Sequence, residues 1–233
     1  MHAIFNFMNR LILSFLILIT FSATAQIHEI GVFAGGSNFV GDVGETTYIK
    51  PNEFTYGLIY KWNRSPRHSW RASISTAKIT ADDDRSKDPS RKQRNYDFEN
   101  TIKEVSLGLE FNFFEFDLHQ LKRQFTPYVF VGLAYTHYDG LFFKEPNVTN
   151  SDSSHGTLSV PFALGVKSNL TKNLIVGFEV APRYTFADDI DGSSPKNDEL
   201  QQLRFGNINS NDWYVFSGFT LTYTFGRKPC FCD

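Results

Sequence analysis

The chain has 233 residues, a formal net charge of −2, 16% aromatic residues and 21% charged residues. Aromatics at this density can bury more area than a disordered chain buries, and a near-neutral charge gives no basic field for nucleic acid. No apolar run after residue 25 reaches the roughly 18 residues of a membrane-spanning helix. Two cysteines, both among the last four residues, leave no disulfide-stapled core and no cysteine-ligated zinc fold.

The N-terminus reads as a secretory signal. Arg10 supplies the positive region, Leu11–Phe21 is an apolar run too short to span, and Ala23-Thr24-Ala25 is a small-x-small cleavage site. Residues 1–25 are expected to be removed, leaving Gln26 first and no lipid-bearing cysteine behind it.

From Gln26 onward the dominant period is two. In 27–36, Ile30, Val32 and Ala34 alternate with Glu29, Gly31 and Gly35. Phe54, Tyr56, Leu58, Tyr60 and Trp62 share one side of 54–62. In 68–79, Trp70, Ala72 and Ile74 oppose Arg71, Ser73 and Ser75. In 101–116, Val105, Leu107, Leu109, Phe111 and Phe113 oppose Glu104, Ser106, Gly108, Glu110 and Asn112. Val129, Val131, Leu133 and Tyr135 oppose Gly132, Ala134 and Thr136 in 128–138. The pattern recurs in 158–167, 174–184 and 213–225. Eight segments of about 10–13 residues have the length that crosses a bilayer as tilted strands.

The connections alternate in length. Ser37–Glu53, Ala81–Asn100, Asp139–Gly156 and Ala187–Asn211 are long, whereas Asn63–Arg67 and Thr171–Asn173 are tight and Asp117–Thr126 is intermediate. Transmembrane barrels have this asymmetry, with short periplasmic turns and long outer loops. The fold expected is all-β: an eight-stranded antiparallel transmembrane up-and-down barrel over residues 26–225, both termini periplasmic, with a tail at 226–233.

Trp62, Trp70, Tyr128, Tyr184, Trp213, Tyr223 and Phe225 are expected in the outward aromatic girdles. Lys61, Arg71, Glu104, Glu110, Lys167, Glu179 and Arg183 fall on the opposite face. Seven unpaired charges facing lipid would be prohibitive, so they are placed in the bore, where eight strands leave room only for side chains. The lumen is expected to be a salt-bridged plug.

Candidate chemistry is sparse, and no catalytic residue, metal site or cofactor is expected. The six histidines lack metal-ligand spacing, and nothing in sequence pairs His137 with a serine and an acid. Asp188, Asp189, Asp191 and Gly192 resemble a calcium loop only superficially, because Ala187 stands at the first ligand position. These acids, Asp82–Asp84 and the mixed-charge run Asp84–Arg94 read as solvated outer loops. In the tail, Pro229 stops strand pairing, and Cys230 and Cys232 could form a strained bond with each other, bond to a partner, or stay inert. The turns and tail carry Arg64, Arg67, Lys122, Arg123, Lys172, Arg227 and Lys228, a basic rim opposed within those segments only by Asp117 and Asp233. Such a rim suits an acidic protein surface or phosphate headgroups.

A family resemblance covers nearly all of the mature chain. Ile30–Asp42 (IGVFAGGSNFVGD), Tyr48-Ile49 with Pro51, Gly57–Lys61, Arg91–Arg94 with Phe98–Asn100, Leu109–Phe114, Phe125–Tyr128 and Arg183–Phe186 with Asp188-Asp189 carry it. Together they resemble the small outer-membrane barrels of Bacteroidetes-type bacteria that serve the type IX secretion system. The resemblance implies a structural barrel, not an enzyme and not the conduit. Its partners would be outer-membrane lipid and a periplasmic ring of PorK-type lipoprotein and PorN, with no small-molecule substrate, supporting protein export and, in some species, gliding motility. The other readings are a stand-alone barrel binding a surface ligand and a lipid-modifying outer-membrane enzyme.

Overall fold

The computed structural model describes residues 27–118, 122–145, 148–207 and 209–226; the side chains of 145, 148 and 149 lie outside the description. The expected leader, and Arg227, Lys228, Cys230 and Cys232 of the tail, also lie outside the described residues.

Eight antiparallel strands pair in chain order and close β1 onto β8. They are β1 (Ile27–Val40), β2 (Glu53–Asn63), β3 (His68–Asp82), β4 (Asp97–Asn112), β5 (Phe125–Glu145), β6 (Val148–Asn169), β7 (Leu174–Thr185) and β8 (Trp213–Phe225). The period-two pattern sets this directly: in β4 every other residue is buried along almost its whole length. A one-residue register slip would turn Glu104 and Glu110 to the outside, so burial of that face fixes the register.

The barrel is polar within and apolar without. Val105, Leu107 and Leu109 of β4 and Phe113 just beyond its end are all at least half exposed, as are Phe54, Tyr56 and Leu58 of β2. Val105 to Phe113 is eight residue steps, about 27 Å along the strand and about 20 Å high at the usual tilt. The registers align Ile74, Val105, Tyr135 and Leu158 as the top row of this belt, and the next outward row is Thr76, Lys103, His137 and Gly156. That switch from apolar to polar marks the edge of the hydrocarbon layer.

Three expectations change. Asp139–Gly156 is not a loop: β5 and β6 continue past the barrel as a two-stranded hairpin, with register shifts at Gly140/Leu141 and Phe143/Glu145. Its serines and threonines read as loop, but the β5 side is anchored because Leu141 and Phe143 are buried in the cap. Asp84–Arg94 is not a free solvated loop, since it forms a 3-10 turn (Asp83–Arg85) and α1 (Pro89–Arg94), the helix capped by Asp88 and ended by Asn95 with φ of 57°. Tyr128 is not a girdle residue. It is 1% exposed and points into the bore, as the even-numbered parity of β5 requires.

Candidate functional site

Three regions carry polar chemistry: the bore, the rim at the short-turn end, and the cap over the opposite mouth. All seven charges assigned to the lumen are buried there. Glu110 is the hub of the lower layer, with Lys61 Nζ at 2.7 Å and Lys167 Nζ at 2.6 Å, and Arg71 follows at 3.7 Å. Arg71 grips Glu179 with both terminal nitrogens at 2.7 Å, and Tyr128 Oη donates to Glu179 at 2.6 Å. One layer up, Arg183 Nε lies 3.1 Å from Glu104, which also accepts from Tyr214 Oη at 2.6 Å. The Arg183 guanidinium stacks over Phe216 at 3.8 Å.

One member was missed. Glu29 is 1% exposed and accepts from Asn63 Nδ2 at 2.9 Å and Thr222 Oγ1 at 2.8 Å. It completes four carboxylates against the four cations Lys61, Arg71, Lys167 and Arg183, so the bore is electrically balanced. Its position opposite Ile30 and Val32 in the alternation was the available signal.

Glycines make room for this packing. Gly108 and Gly132 face each other across β4–β5, and Phe130 lies over both. A Cβ on Gly108 would meet the Phe130 ring at 2.8 Å. Phe130 in turn supports Arg71, whose guanidinium sits 4.9 Å from the ring centre. Phe33, Ile59 and Phe216 pack among the ion pairs and belong to one apolar cluster that continues through Ile102 to Phe98. Ion pairs and hydrocarbon thus fill the bore together.

At the short-turn end, Arg64, Arg67, Lys122, Arg123 and Lys172 are all exposed. The rim is less one-sided than expected, because β4 ends at Asn112 and so Glu115 joins Asp117 in the following turn. Arg67 pairs with Glu115 at 3.4 Å, and Arg64 stacks on Trp62 at 5.0 Å.

The long-loop mouth departs most from expectation. Asp83, Asp189 and Asp191 are buried, not solvated. Asp191 Oδ2 accepts from the backbone of Asp42 and Val43 at 3.0 and 3.1 Å, tying the β7–β8 loop to the β1–β2 loop. Asp83 accepts from Gly44 N at 2.8 Å and pairs with Arg94 at 2.7 Å. Arg91 and Arg94 then donate to the carbonyls of Gly41, Asp42 and Gly44. Gly44 adopts φ of 85°, which a side chain there would strain. Burial, with Asp191 and Asp42 close by, pushes the Asp188 carboxyl up to about 7. Burial also raises Asp191, and burial with the nearby Asp191 raises Asp212 well above the usual carboxylate range. Among the described residues, no group of three or more His, Cys, Asp or Glu side chains is arranged to hold a metal ion.

Solved structures with similar backbones are small bacterial barrels. Ail, the attachment invasion locus protein of Yersinia pestis, solved with the heparin analogue sucrose octasulfate, is 12% identical with a TM-score of 0.45, over 87% of this chain and all of that one. Neisserial surface protein A is 7% identical with a TM-score of 0.45, covering 86% and 97%. The N-terminal barrel of Pseudomonas aeruginosa OprF is 10% identical with a TM-score of 0.42, covering 86% and 97%. No curated protein matches the sequence. A closed eight-stranded sheet with a charged, filled bore and an apolar belt has the anatomy of a bacterial outer-membrane barrel. Residues 8–233 match one family throughout, and the chain belongs to it: the family described as Domain of unknown function (DUF6089).

Proposed function

We propose that this outer-membrane barrel is an anchoring subunit of a type IX secretion machine, of the PorG kind. In this reading the short-turn end and both termini face the periplasm, where the basic rim and the cysteine tail meet a ring of PorK-type lipoprotein and PorN. The observation that carries it is the filled bore: a barrel filled by four ion-paired cations, four carboxylates and an apolar cluster passes no polypeptide, so its contribution is position and rigidity. The resemblance carried jointly by Ile30–Asp42 and the other matching segments supports this choice of machine. Cys230 or Cys232 bonded to the lipoprotein would make a modest electrostatic contact permanent.

The test is a mild-detergent pull-down of the tagged protein with thiols blocked before lysis, read on a non-reducing gel and by mass spectrometry. Ring proteins that co-purify support the reading, and a clean monomer overturns it. A stand-alone surface-ligand barrel is favoured by a different feature, a polar cleft of about 560 Å³ between the β1–β2 and β3–β4 loops, lined by Glu45, Lys50, Glu53, Asp84 and Glu99. Deleting those loops abolishes function in that case and spares export in the anchoring case.

A further inference from the structure

A second constellation lies at the outer mouth, apart from the bore and the rim. Ser153 and His155 are two residues apart on β6, and their side chains meet: Ser153 Oγ is 2.8 Å from His155 Nε2. The other ring nitrogen, Nδ1, lies 2.7 Å from Asp189 Oδ2. Asp189 sits in the β7–β8 loop and is 2% exposed. Its second oxygen accepts from Tyr138 Oη at 2.6 Å and faces Lys196 Nζ at 3.1 Å. Ser153 is exposed to solvent. A hydroxyl, an imidazole and a buried carboxylate, each link at hydrogen-bond distance, is the arrangement that activates a serine.

The surroundings hold that geometry in place. Gly140 stands opposite Ser153, and a Cβ there would meet His155 Cε1 at 2.6 Å. Tyr138 packs edge-on against the imidazole, ring centres 6.1 Å apart. A donor for a developing oxyanion is also at hand. Phe186 N donates to the Leu158 carbonyl at 3.0 Å, so Leu158 turns its backbone groups toward the β7 side. Alternation gives Gly156 and Ser154 the same sense, yet β6–β7 pairing ends at Ser159–Thr185. The Ser154 N–H therefore points to the β7 side beyond the last β6–β7 pair, next in the chain to Ser153. The N–H following a nucleophile is a recurrent oxyanion donor.

We propose that Ser153, His155 and Asp189 form a hydrolytic site for carboxylic esters. As Ser153 Oγ attacks the ester carbonyl, His155 Nε2 takes its proton, and Asp189 holds the imidazolium through Nδ1. The tetrahedral intermediate collapses to an acyl-serine, and the leaving alcohol takes the proton from His155. Water then attacks the acyl-serine with His155 as base, which releases the carboxylic acid and restores the serine. Ser153 lies five residues outward of Leu158, the top of the apolar belt, about 16 Å along the strand. The reacting ester thus sits in the polar phase above the hydrocarbon, which selects short acyl groups over membrane-buried chains.

The test uses the refolded mature protein with a fluorophosphonate probe and with 4-nitrophenyl acetate and palmitate. Heat-modifiable gel mobility confirms folding. Wild type labels at Ser153, Ser153→Ala does not, and His155→Gln lowers labelling roughly 100-fold. Acetate turns over faster than palmitate, because the site lies in the polar phase. Asp189→Asn reduces the rate where it still folds; Ser153 is exposed, so Ser153→Ala folds regardless and keeps the test decisive. Folded wild type that labels no more than folded Ser153→Ala overturns the proposal. Faster turnover of palmitate overturns the choice of substrate. Export is unaffected by Ser153→Ala, so this result is independent of the anchoring role.

Discussion

Replacing Glu110 by Gln tests whether the bore is dry and rigid. Glu110 is fully buried and neutralises Lys61 at 2.7 Å and Lys167 at 2.6 Å, with Arg71 beyond. Glutamine keeps the volume but leaves Lys61, Lys167 and Arg71 with only Glu179 and, beside Lys61, Glu29. Removing one partner of a buried pair costs about 3–5 kcal/mol, because the remaining charge stays desolvated. The matched control is Glu115→Gln, whose pair with Arg67 at 3.4 Å is 45% and 70% exposed. It should cost under about 0.5 kcal/mol. Equilibrium unfolding in urea, with the barrel in lipid vesicles, reads both through the fluorescence of Trp62, Trp70 and Trp213. The expected shift for Glu110→Gln is roughly 1–2 M toward lower urea. Adding Lys167→Met should recover more than half of it by restoring the charge balance. Equal midpoints for Glu110→Gln and Glu115→Gln would refute the reasoning and mean that water fills the bore.

Other predictions concern the two ends. Asp83→Asn removes the buried charge paired with Arg94 and leaves one carbonyl oxygen where two now serve Gly44 N, Tyr96 N and Arg94, so limited proteolysis should cut the β1–β2 loop while the barrel keeps its folded gel mobility. A carboxyl whose pKa is raised on folding, such as Asp188 at about 7, contributes most below its unfolded value and loses that contribution as pH rises through 7. Hydrogen-exchange protection at residues 41–44 and 187–193, after division by the intrinsic rate at each pH, should therefore be greater at pH 5 than at pH 8, and Asp188→Asn should flatten that difference. If the proposed ring docks on the basic rim, reversing Arg64, Lys122, Arg123 and Lys172 to Glu should lower its recovery at least tenfold without changing barrel stability, measured by pull-down and urea titration.

Strand number, pairing order and the two faces were legible in the sequence because a strand's inside–outside alternation is local: Glu104 and Glu110 are even, Val105 and Leu109 odd, and burial follows. The same rule locates Tyr128 in the bore, where its place near a strand end had suggested a girdle. Local pattern could not say which charges meet. Arg71 and Glu179 are 108 residues apart, and only closure of the barrel faces them across the bore. Nor could it show that Asp191 clamps the β1–β2 loop 148 residues away, since an acid in a polar loop has the same sequence signature whether solvated or buried. The Ser153, His155 and Asp189 contact is of this kind. Serine and histidine at positions i and i+2 are set by the strand, but the carboxylate arrives from another loop, brought there when Leu141 and Phe143 bury the hairpin into the cap. The sequence determined what each strand shows to lipid and to the bore; the tertiary structure decided the partners, because pairing across a closed sheet depends on register and closure, not on neighbours in the chain.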